Sequence, residues 1–556
     1  MFTRHYPFWP PGEPKSLAVP RTSVYFNLEV SARRYPEKCA IDYYGSPMSY
    51  AALKRETDAL AGFLQRRCAI ARGDRVLLYT QNSPQFVIGF YAILRADAVV
   101  VPVNPMNLRE ELRHYVEDAD AAVILSTQEL WPQIVPLLGS SGLRQVILGA
   151  YSDYLSVPTE LPVPEFVRAP RAVPAHPAVS AWSEAIAANE SPGEHLAGTE
   201  DLAVMPYTSG TTGKPKGCMH THSNLLATTT AYLHWRDTTS EAVVLAALPM
   251  FHVTGMQGGM NAPIQAGACM AILSRWDRDC AAMQIGRARV TSFTAITTMM
   301  VDFLASPDLG RHDLSSLVTL GGGGAAMPEA LAQKLADTLG LEFIEGYGLT
   351  ETMAPTHINP PHRPKKQCAG IPIFNTDARV LDPDTRRECA VREVGEIVVR
   401  GPQVFQGYWK QPAATEEAFI EHDGARFFRT GDLGYYDEEG YFFITDRLKR
   451  MINAAGFKVW PAEVEAMLYA HPDVQEACVI AMRDPYRGET VKAVVVLRPA
   501  ARGKTNAEDV IAWARDKMAA FKVPRVVEFV DALPKTATGK VLWRKLQEDE
   551  YARSAR

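Results

Sequence analysis

Three short apolar runs, separated by helix-like stretches, constrain the fold of this chain more than any other feature. The runs at 75–79, 98–103 and 121–125 have the length and composition of buried strands. Between the last two, an amphipathic stretch starts at Asn107 and carries Glu110 three residues later, a pattern that predicts a helix with a capping box. Because strands that alternate with helices form βαβ units, we expect a largely parallel sheet.

A second set of elements begins after the charged stretch at 446–450. The predicted elements are a helix after Pro461, strands at 475–482 and 491–497, a helix from Asn506 and a strand at 526–530. These elements suffice for a small domain of ordinary size. We therefore predict an N-terminal domain over 1–446 and a C-terminal domain over 447–556.

Composition narrows the class of protein. A chain of 556 residues is too long for a single core. Its net charge of −5 and the lack of a long basic run argue against nucleic-acid binding. No apolar run has the roughly 18 residues of a transmembrane helix. Eight scattered cysteines and an N-terminus without an apolar signal core favour a reduced, cytoplasmic protein. The oligomeric state stays open, with a homodimer among the options.

The segment 207–217 reads Tyr-Thr-Ser-Gly-Thr-Thr-Gly-Lys-Pro-Lys-Gly. Glycines let a backbone approach a ligand closely, and successive N–H groups, hydroxyls and lysines bind phosphate oxygens. The segment lacks the glycine spacing of a Walker A loop and has proline after its first lysine. It is therefore interpreted as a different triphosphate cradle, with a plain surface linker as the alternative. The candidate cradle residues are Thr208, Ser209, Gly210, Thr211, Thr212, Gly213 and Lys214.

Further motifs follow at 321–328, 345–351, 429–432 and 534–540. Together with the cradle, they resemble, in order and over nearly the whole chain, the motifs of the AMP-forming acyl-CoA synthetases. That superfamily also contains luciferases and peptide-synthetase adenylation domains. The resemblance implies an α/β fold: a large N-terminal domain of parallel-sheet-rich αβα layers with a β-barrel-like subdomain, and a small, mobile α+β C-terminal lid. It also implies ATP, Mg²⁺ and coenzyme A as cofactors.

The segment Glu345-Gly-Tyr-Gly-Leu-Thr-Glu351 resembles the family's Tyr-Gly-x-Thr-Glu motif. The resemblance implies that Tyr347, followed by Gly348, stacks on adenine and that Thr350 contacts the α-phosphate. Glu351 would then hold Mg²⁺, a hard cation that prefers carboxylate and phosphate oxygens. A glycine turn with an exposed glutamate is the alternative interpretation.

Two further motifs would complete the nucleotide site. The resemblance puts adenine and the substrate carboxylate against Gly323, Gly324 and Ala325, where the alternative is a flexible turn. It also assigns Asp432 to the two ribose hydroxyls, because a carboxylate can accept two hydrogen bonds from a diol. Arg447 would contact ribose or phosphate.

The last motif lies in the predicted lid. Lys540 would reach the α-phosphate and the substrate carboxylate and neutralise charge that builds up in the transition state. Lys449 falls at the family's hinge position, and Gly456 would line the pantetheine passage. The Ala-Ala-Gly-Phe-Lys stretch at 454–458 departs from the commoner family versions, which leaves the exact CoA contacts open.

His252 marks the predicted acyl pocket, in a segment that resembles the family stretch bordering that pocket. Amino-acid-activating relatives usually carry an aspartate there, so an amino-acid substrate is disfavoured. His220, His222 and His252 do not have the pattern of a zinc site. Three glycines follow, at Gly255, Gly258 and Gly259. They indicate either room for an apolar acyl tail or close helix packing. Four methionines could form an adaptable wall: Met256, Met260, Met299 and Met353.

We therefore predict an acid–thiol ligase. It would use ATP to convert a medium- or long-chain fatty acid to acyl-AMP and pyrophosphate, and then transfer the acyl group to CoA. An aryl or branched-chain acid is the alternative substrate. A luciferase-like oxygenase and a non-catalytic nucleotide-binding sensor are the other function classes, and the presence of Lys540 disfavours the sensor.

Overall fold

A computed structural model describes residues 1–208, 215–324, 326–454, 457–484, 488–535 and 541–554, with backbone alone at 449, 453, 457, 458 and 554. The chain forms two compact units. The first contains residues 3–377 and 400–428, and the second contains residues 378–399 and 429–556. These units do not test the predicted hinge near Lys449, which stays a prediction.

The first unit contains a nine-stranded sheet that carries the glycine-rich motif. Its third to eighth strands pair parallel with one another, and each strand outside that set pairs antiparallel with its neighbour. In spatial order the strands are Ile371–Pro372, His357–Ile358, Phe343–Tyr347, Thr319–Gly323, Ser292–Ala295, Val243–Ala246, Cys269–Ile272, Cys39–Tyr43 and Ser46–Ser49.

A second nine-stranded sheet contains the three strands predicted from the apolar runs, which are Arg75–Tyr79, Val99–Val103 and Val123–Thr127. They pair parallel to one another, as predicted. In spatial order the strands are Gly407–Tyr408, Lys216–Thr221, Leu202–Val204, Val99–Val103, Arg75–Tyr79, Val123–Thr127, Gln145–Gly149 and Val179–Ala181, with Tyr207–Thr208 beside Lys216–Thr221.

One continuous hydrophobic core takes side chains from both sheets and from the helices around them. Helix Pro84–Arg95 is buried along nearly its whole length, in agreement with its almost wholly apolar sequence. The other helices of eight or more residues in this unit are Tyr25–Arg34, Tyr50–Arg66, Arg109–Asp118, His222–Trp235, Arg278–Ala288, Thr297–Leu304 and Glu329–Leu339. Among the described residues, no helix is both long and apolar enough to cross a membrane.

The predicted capping box is wrong by one residue. Helix Arg109–Asp118 follows Leu108, whose N–H donates to the Glu111 carboxylate at 2.8 Å. Asn107 instead closes a turn through its own N–H to Asn104 O, and its carbonyl accepts a hydrogen bond from Tyr79. Tertiary contact with Tyr79 thus overrides the local capping preference of asparagine.

The second unit contains the elements predicted for the C-terminal domain. Strand Val474–Asp484 pairs antiparallel with Gly488–Leu497, which pairs parallel with Val526–Phe529. Helix Pro461–Tyr469 packs on this sheet, and helix Ala507–Arg515 is capped by Asn506, as predicted. The unit also contains helix Trp543–Ser554 and the short strands Ile452–Ala454 and Phe457–Val459. Its other strands are Asp377–Leu381, Gly395–Arg400, Phe442–Arg447 and the part of Ala425–Tyr436 that begins at residue 429.

The predicted fold class is confirmed: a large α/β unit rich in parallel sheet, with a smaller α+β unit. Mobility of the smaller unit stays a prediction.

Candidate active site

The glycine-rich motif forms the central strand Thr319–Gly323 of the first sheet. A Cβ atom on Gly322 would lie 1.7 Å from Ala295 O, and one on Gly323 would lie 2.3 Å from Gly346 O. Neighbouring backbone therefore excludes side chains here. Gly324 follows with φ +93°, a conformation that favours glycine, and is exposed at the carboxyl end of the strand. Ala325 lies outside the described residues.

The predicted adenine and phosphate residues follow the neighbouring strand, Phe343–Tyr347. Gly323 and Gly346 are partners in the parallel pairing, so the carboxyl ends of the two strands lie side by side. In doubly wound sheets, ligands bind in the crevice at such ends. The Tyr347 carbonyl accepts the Thr356 N–H at 2.8 Å, and a Cβ on Gly348 would lie 2.8 Å from Pro355 Cα. Backbone packing thus fixes the turn.

A buried histidine holds the next part of this loop. His220 Nε2 lies 2.8 Å from the Thr350 carbonyl, to which its N–H donates. Burial lowers the pKa of His220 to about 3, so the ring is neutral near pH 7. His220 thereby positions Thr350. His222 Nδ1 accepts the Val24 N–H at 3.0 Å.

Glu351 is 8 % exposed and accepts a hydrogen bond from the Tyr408 hydroxyl at 2.9 Å. The ammonium nitrogen of Lys216, at the end of the cradle motif, lies 5.0 Å from the centre of the Tyr408 ring. Burial, together with the Glu351 charge, raises the pKa of Tyr408 well above its ordinary value. The predicted Mg²⁺ ligand is therefore a buried carboxylate beside a half-buried tyrosine and lysine, and carboxylate oxygen is a suitable donor for a hard cation.

The two flanks of the predicted cradle form a hairpin. Strand Tyr207–Thr208 pairs antiparallel with Lys216–Thr221, with Thr208 opposite Lys216. The Tyr207 hydroxyl donates to Asp118 at 2.6 Å. Residues Ser209, Gly210, Thr211, Thr212, Gly213 and Lys214 lie outside the described residues.

In the second unit, Asp432 and Arg447 are opposite each other in an antiparallel pair. Arg447 Nε lies 2.6 Å from Asp432 Oδ1, and the Asp432 side chain is 4 % exposed. The preceding Gly431 has φ +68°, which explains the glycine of this motif. Of the remaining predicted residues, Lys449 is described by its backbone alone, in the turn Leu448–Arg450, and Gly456 and Lys540 lie outside the described residues.

The predicted acyl segment is helical but irregular. Its helix has α geometry over Val253–Met256 and Ala262–Ala266 and π geometry over Gln257–Asn261. Single π turns within α-helices are frequent at functional sites. His252 caps the helix, with its Nδ1 accepting the Thr254 N–H at 3.4 Å.

The three glycines of this segment differ. A Cβ on Gly255 would lie 2.2 Å from Pro249 O, so close packing explains that glycine. Cβ atoms on Gly258 and Gly259 would lie 3.5 Å from Tyr232 and 3.7 Å from Ala246, which are ordinary contact distances. Room for a ligand therefore stays a prediction for Gly258 and Gly259 but is not needed to explain Gly255. The four methionines named above are all buried.

Sequence reasoning missed Tyr408, Lys216 and His220 as neighbours of the Thr350–Glu351 turn. Tyr408 meets Glu351 across 57 residues of chain, and His220 meets Thr350 across 130. Lys216 was the one residue of the three that the sequence could have marked as part of the site. It follows Lys214 by two residues and so adds a second positive charge to the cradle motif.

Known proteins resemble this chain along its length. Family models described as AMP-binding enzyme and AMP-binding enzyme C-terminal domain match residues 28–409 and 463–540. A long-chain-fatty-acid–CoA ligase of Bacillus subtilis (strain 168) is 37% identical, over 98% of this chain and 97% of the relative. A feruloyl-CoA synthase of an Amycolatopsis species is 35% identical, over 92% of this chain and 96% of the relative.

Solved structures of adenylate-forming enzymes are also similar to this chain over nearly its whole length. The crystal structure of ATP-bound MatB from Rhodopseudomonas palustris superposes with a TM-score of 0.81 at 29% identity, covering 95% of this chain and 99% of that one. The anthranilate CoA ligase AuaEII in complex with anthranoyl-AMP gives 0.81 at 25% identity, covering 98% and 99%. The chain belongs to the AMP-binding enzyme family, within the adenylate-forming acyl-CoA synthetases that its motifs resemble.

Proposed function

We propose that this protein is an acid–thiol ligase for a medium- or long-chain fatty acid. The reaction joins the acid to AMP with release of pyrophosphate and then passes the acyl group to the thiol of CoA. The first step is needed because a carboxylate is a poor electrophile, whereas the mixed anhydride has a good leaving group. The fatty-acid assignment rests on the name of the Bacillus relative and on the buried methionines Met256 and Met260 in the helix that contains the π turn.

One observation carries the proposal. Gly323 and Gly324, at the end of one strand, lie beside Tyr347, at the end of the next, and the buried Glu351 follows within the same turn. This arrangement suits a nucleotide whose base rests on glycine backbone and a tyrosine ring. Glu351 would hold Mg²⁺, which would neutralise pyrophosphate as it leaves.

The remaining roles follow from the family resemblance. The loop from Thr208 to Lys214 would cradle the triphosphate, and Asp432 would accept hydrogen bonds from the ribose hydroxyls. Lys540 would act from the lid in adenylation, with a hinge near Lys449. Gly456 would line the passage for CoA.

The proposal is tested by pyrophosphate release across a panel of carboxylic acids, with and without CoA. We expect release with medium- or long-chain acids, and thioester only when CoA is present. Faster release with aryl acids would favour the alternative that the feruloyl-CoA synthase relative raises. Binding of ATP without pyrophosphate release for any acid would favour a nucleotide sensor, and light emission from the adenylate in oxygen would favour a luciferase-like oxygenase.

The role of Lys540 is tested by separating the half-reactions. Lys540→Ala should lower acyl-AMP formation on the order of 10²–10³-fold, because a preorganised charge at the transition state is lost. Thioester formation from supplied acyl-AMP should be retained if a rotated lid carries Lys540 away from the reaction centre. Equal loss in both half-reactions would contradict the role.

A further inference from the structure

Two cysteines meet in the first sheet, away from the candidate active site. Cys39 begins strand Cys39–Tyr43, and Cys269 begins the neighbouring parallel strand Cys269–Ile272. Their sulfur atoms lie 3.2 Å apart, and the Cys269 thiol donates a hydrogen bond to Cys39 Sγ. Both residues lie at the amino ends of parallel strands, whereas the proposed nucleotide residues follow the carboxyl ends. Two further strands separate Cys269–Ile272 from the glycine strand Thr319–Gly323.

The backbone around the two cysteines suits a disulfide. Ile41 pairs with Met270, so Cys269 is level with Ala40 and one residue out of line with Cys39. With strands about 4.8 Å apart and a rise of about 3.3 Å per residue, the two Cα atoms are about 6 Å apart, within the range for disulfides. The register of the neighbouring hairpin shifts between Cys39 and Ile41, and such an irregularity redirects a side chain toward the other face. The sulfur atoms need to approach by only about 1 Å to form a bond.

Cys39 is the more reactive thiol of the pair. It is the one partly exposed cysteine among the eight, and the other seven are buried. The hydrogen bond from Cys269 lowers the pKa of Cys39 despite its partial burial, whereas the same bond, together with burial, raises the pKa of Cys269. Burial also raises the pKa of Cys68, Cys280 and Cys478 to about 12. Because the thiolate is the nucleophile, an oxidant that arrives from solvent reacts first at Cys39.

We propose that Cys39 and Cys269 form a peroxide-sensitive dithiol, a modification site that closes reversibly into a disulfide. The Cys39 thiolate attacks one oxygen of hydrogen peroxide, so that an S–O bond forms while the O–O bond breaks. The products are a sulfenic acid and hydroxide, which takes up the proton that Cys39 released. The Cys269 sulfur then attacks the Cys39 sulfur, and hydroxide leaves with the Cys269 proton as water. Overall the two thiols lose two electrons and the peroxide is reduced to two waters.

The disulfide joins segments that are 230 residues apart in the chain. A cross-link of this kind restricts the unfolded chain, so the oxidised protein resists unfolding more than the reduced protein. It also fixes the strand that follows helix Ala262–Ala266, which continues the π turn. The Tyr50 hydroxyl already holds this connection by donating to the Ala268 carbonyl at 2.7 Å. The disulfide protects Cys39 from further oxidation to sulfinic acid, and a thiol reductant restores both thiols.

The test treats the reduced, full-length protein with hydrogen peroxide and follows its free thiols and its unreduced peptides by mass spectrometry. We expect two of the eight thiols to be lost first, at a rate on the order of tenfold above that of the others. One linked peptide pair should appear, joining Cys39 to Cys269, and dithiothreitol should separate it. The melting temperature should be higher for the oxidised protein than for the reduced protein.

Serine variants separate the two steps of the reaction. Cys269→Ser keeps the attacking thiol but removes its partner, so Cys39 should accumulate as a sulfenic acid, which dimedone traps, and no linked pair should form. Cys39→Ser should leave Cys269 as a free thiol. Cys68→Ser removes one buried thiol elsewhere in the chain and is the matched control. It should form the same disulfide as the wild-type protein.

Three results would overturn the proposal. The first is a wild-type protein that keeps Cys39 and Cys269 as thiols while other cysteines are oxidised. The second is a disulfide that joins Cys39 of one molecule to Cys39 of another. The third is a lower melting temperature after oxidation, because a pair placed to close should not strain the sheet. All three are measured on the wild-type protein and therefore decide the matter even where a serine variant fails to fold.

Discussion

Two glycine-rich segments of the first unit have similar sequences but owe their glycines to different causes. In strand Thr319–Gly323, neighbouring backbone occupies the positions that side chains would take. The Cβ of a residue at Gly322 would meet Ala295 O at 1.7 Å. These glycines are required by the sheet itself, whether or not a ligand binds.

In the π-helix Gln257–Asn261 the opposite holds. The atoms nearest to Cβ atoms at Gly258 and Gly259 would be side-chain atoms of Tyr232 and the Cβ and Cα of Ala246, all at 3.5 Å or more. Packing would therefore accept alanine at both positions, although each interior glycine costs about 0.5–1 kcal/mol of helix stability relative to alanine. Glycine content alone therefore does not distinguish a rigid strand from space kept for a ligand.

We expect the largest loss of activity from a substitution in the polar turn that contains Glu351 and follows the rigid strands. Glu351→Gln keeps the shape of the side chain and removes its charge. We expect pyrophosphate release to fall on the order of 10²–10³-fold, with a higher Mg²⁺ requirement and a retained fold. Glu329→Gln, an exposed change at the start of a nearby helix, serves as control. An unchanged Mg²⁺ dependence would place the metal elsewhere.

The two kinds of glycine can be compared directly by alanine substitution. Gly322→Ala should lower the free energy of unfolding by about 3 kcal/mol or more, because the strand must move away from Ala295. Gly259→Ala should leave it unchanged or raise it by up to about 1 kcal/mol. Urea unfolding of both variants measures the difference. Equal destabilisation would show that packing requires glycine in both segments.

The rigid strands should also give stability a pH dependence. Burial raises the pKa of Glu345 to about 7, although its carboxylate accepts the Met327 and Gln367 N–H groups. The folded state therefore holds a proton that the unfolded state has released above its ordinary pKa of 4.5. The resulting stability is fully present below about pH 4.5 and is lost as the pH rises through 7.

Glu345→Gln mimics the protonated acid and should remove this slope. The change across the interval is on the order of 2–3 kcal/mol. Urea unfolding between pH 5 and about 8 would measure it, with Glu329→Gln as the exposed control. If the Glu345→Gln variant keeps the same pH dependence of its unfolding free energy, that dependence comes from another titrating group.

Local sequence pattern was enough to predict the three buried strands of the second sheet and the helices and strands that follow Pro461. The parallel strands at 75–79 and 99–103 follow from apolar runs whose length and composition suit buried strands. Residues that meet across distant chain segments were not predictable. Arg236 contacts Thr294 across 58 residues, and no local pattern marks either one. The capping box failed for the same reason, since Tyr79 binds the Asn107 carbonyl from another strand.

The smallest expected effect is the loss of kcat/KM for each added methylene of the acid when the space beside the π-helix is filled. Gly258→Leu adds an isobutyl group beside Tyr232. If Gly258 keeps room for the acyl tail, this variant should spare short acids and lower kcat/KM for longer ones. Each excluded methylene should cost about 0.8 kcal/mol, or roughly fourfold, until the chain no longer fits.

Gly258→Ala is the matched control, because its single methyl group has an ordinary contact with Tyr232 and should change the chain-length profile little. A packing role predicts a different pattern for the leucine variant: a lower melting temperature and the same proportional loss for every acid. Measuring kcat/KM across a homologous acid series together with the melting temperature separates these outcomes. A chain-length-dependent loss at unchanged melting temperature would establish the contrast between the π-helix and the glycine strand, where even a methyl group should destabilise the fold.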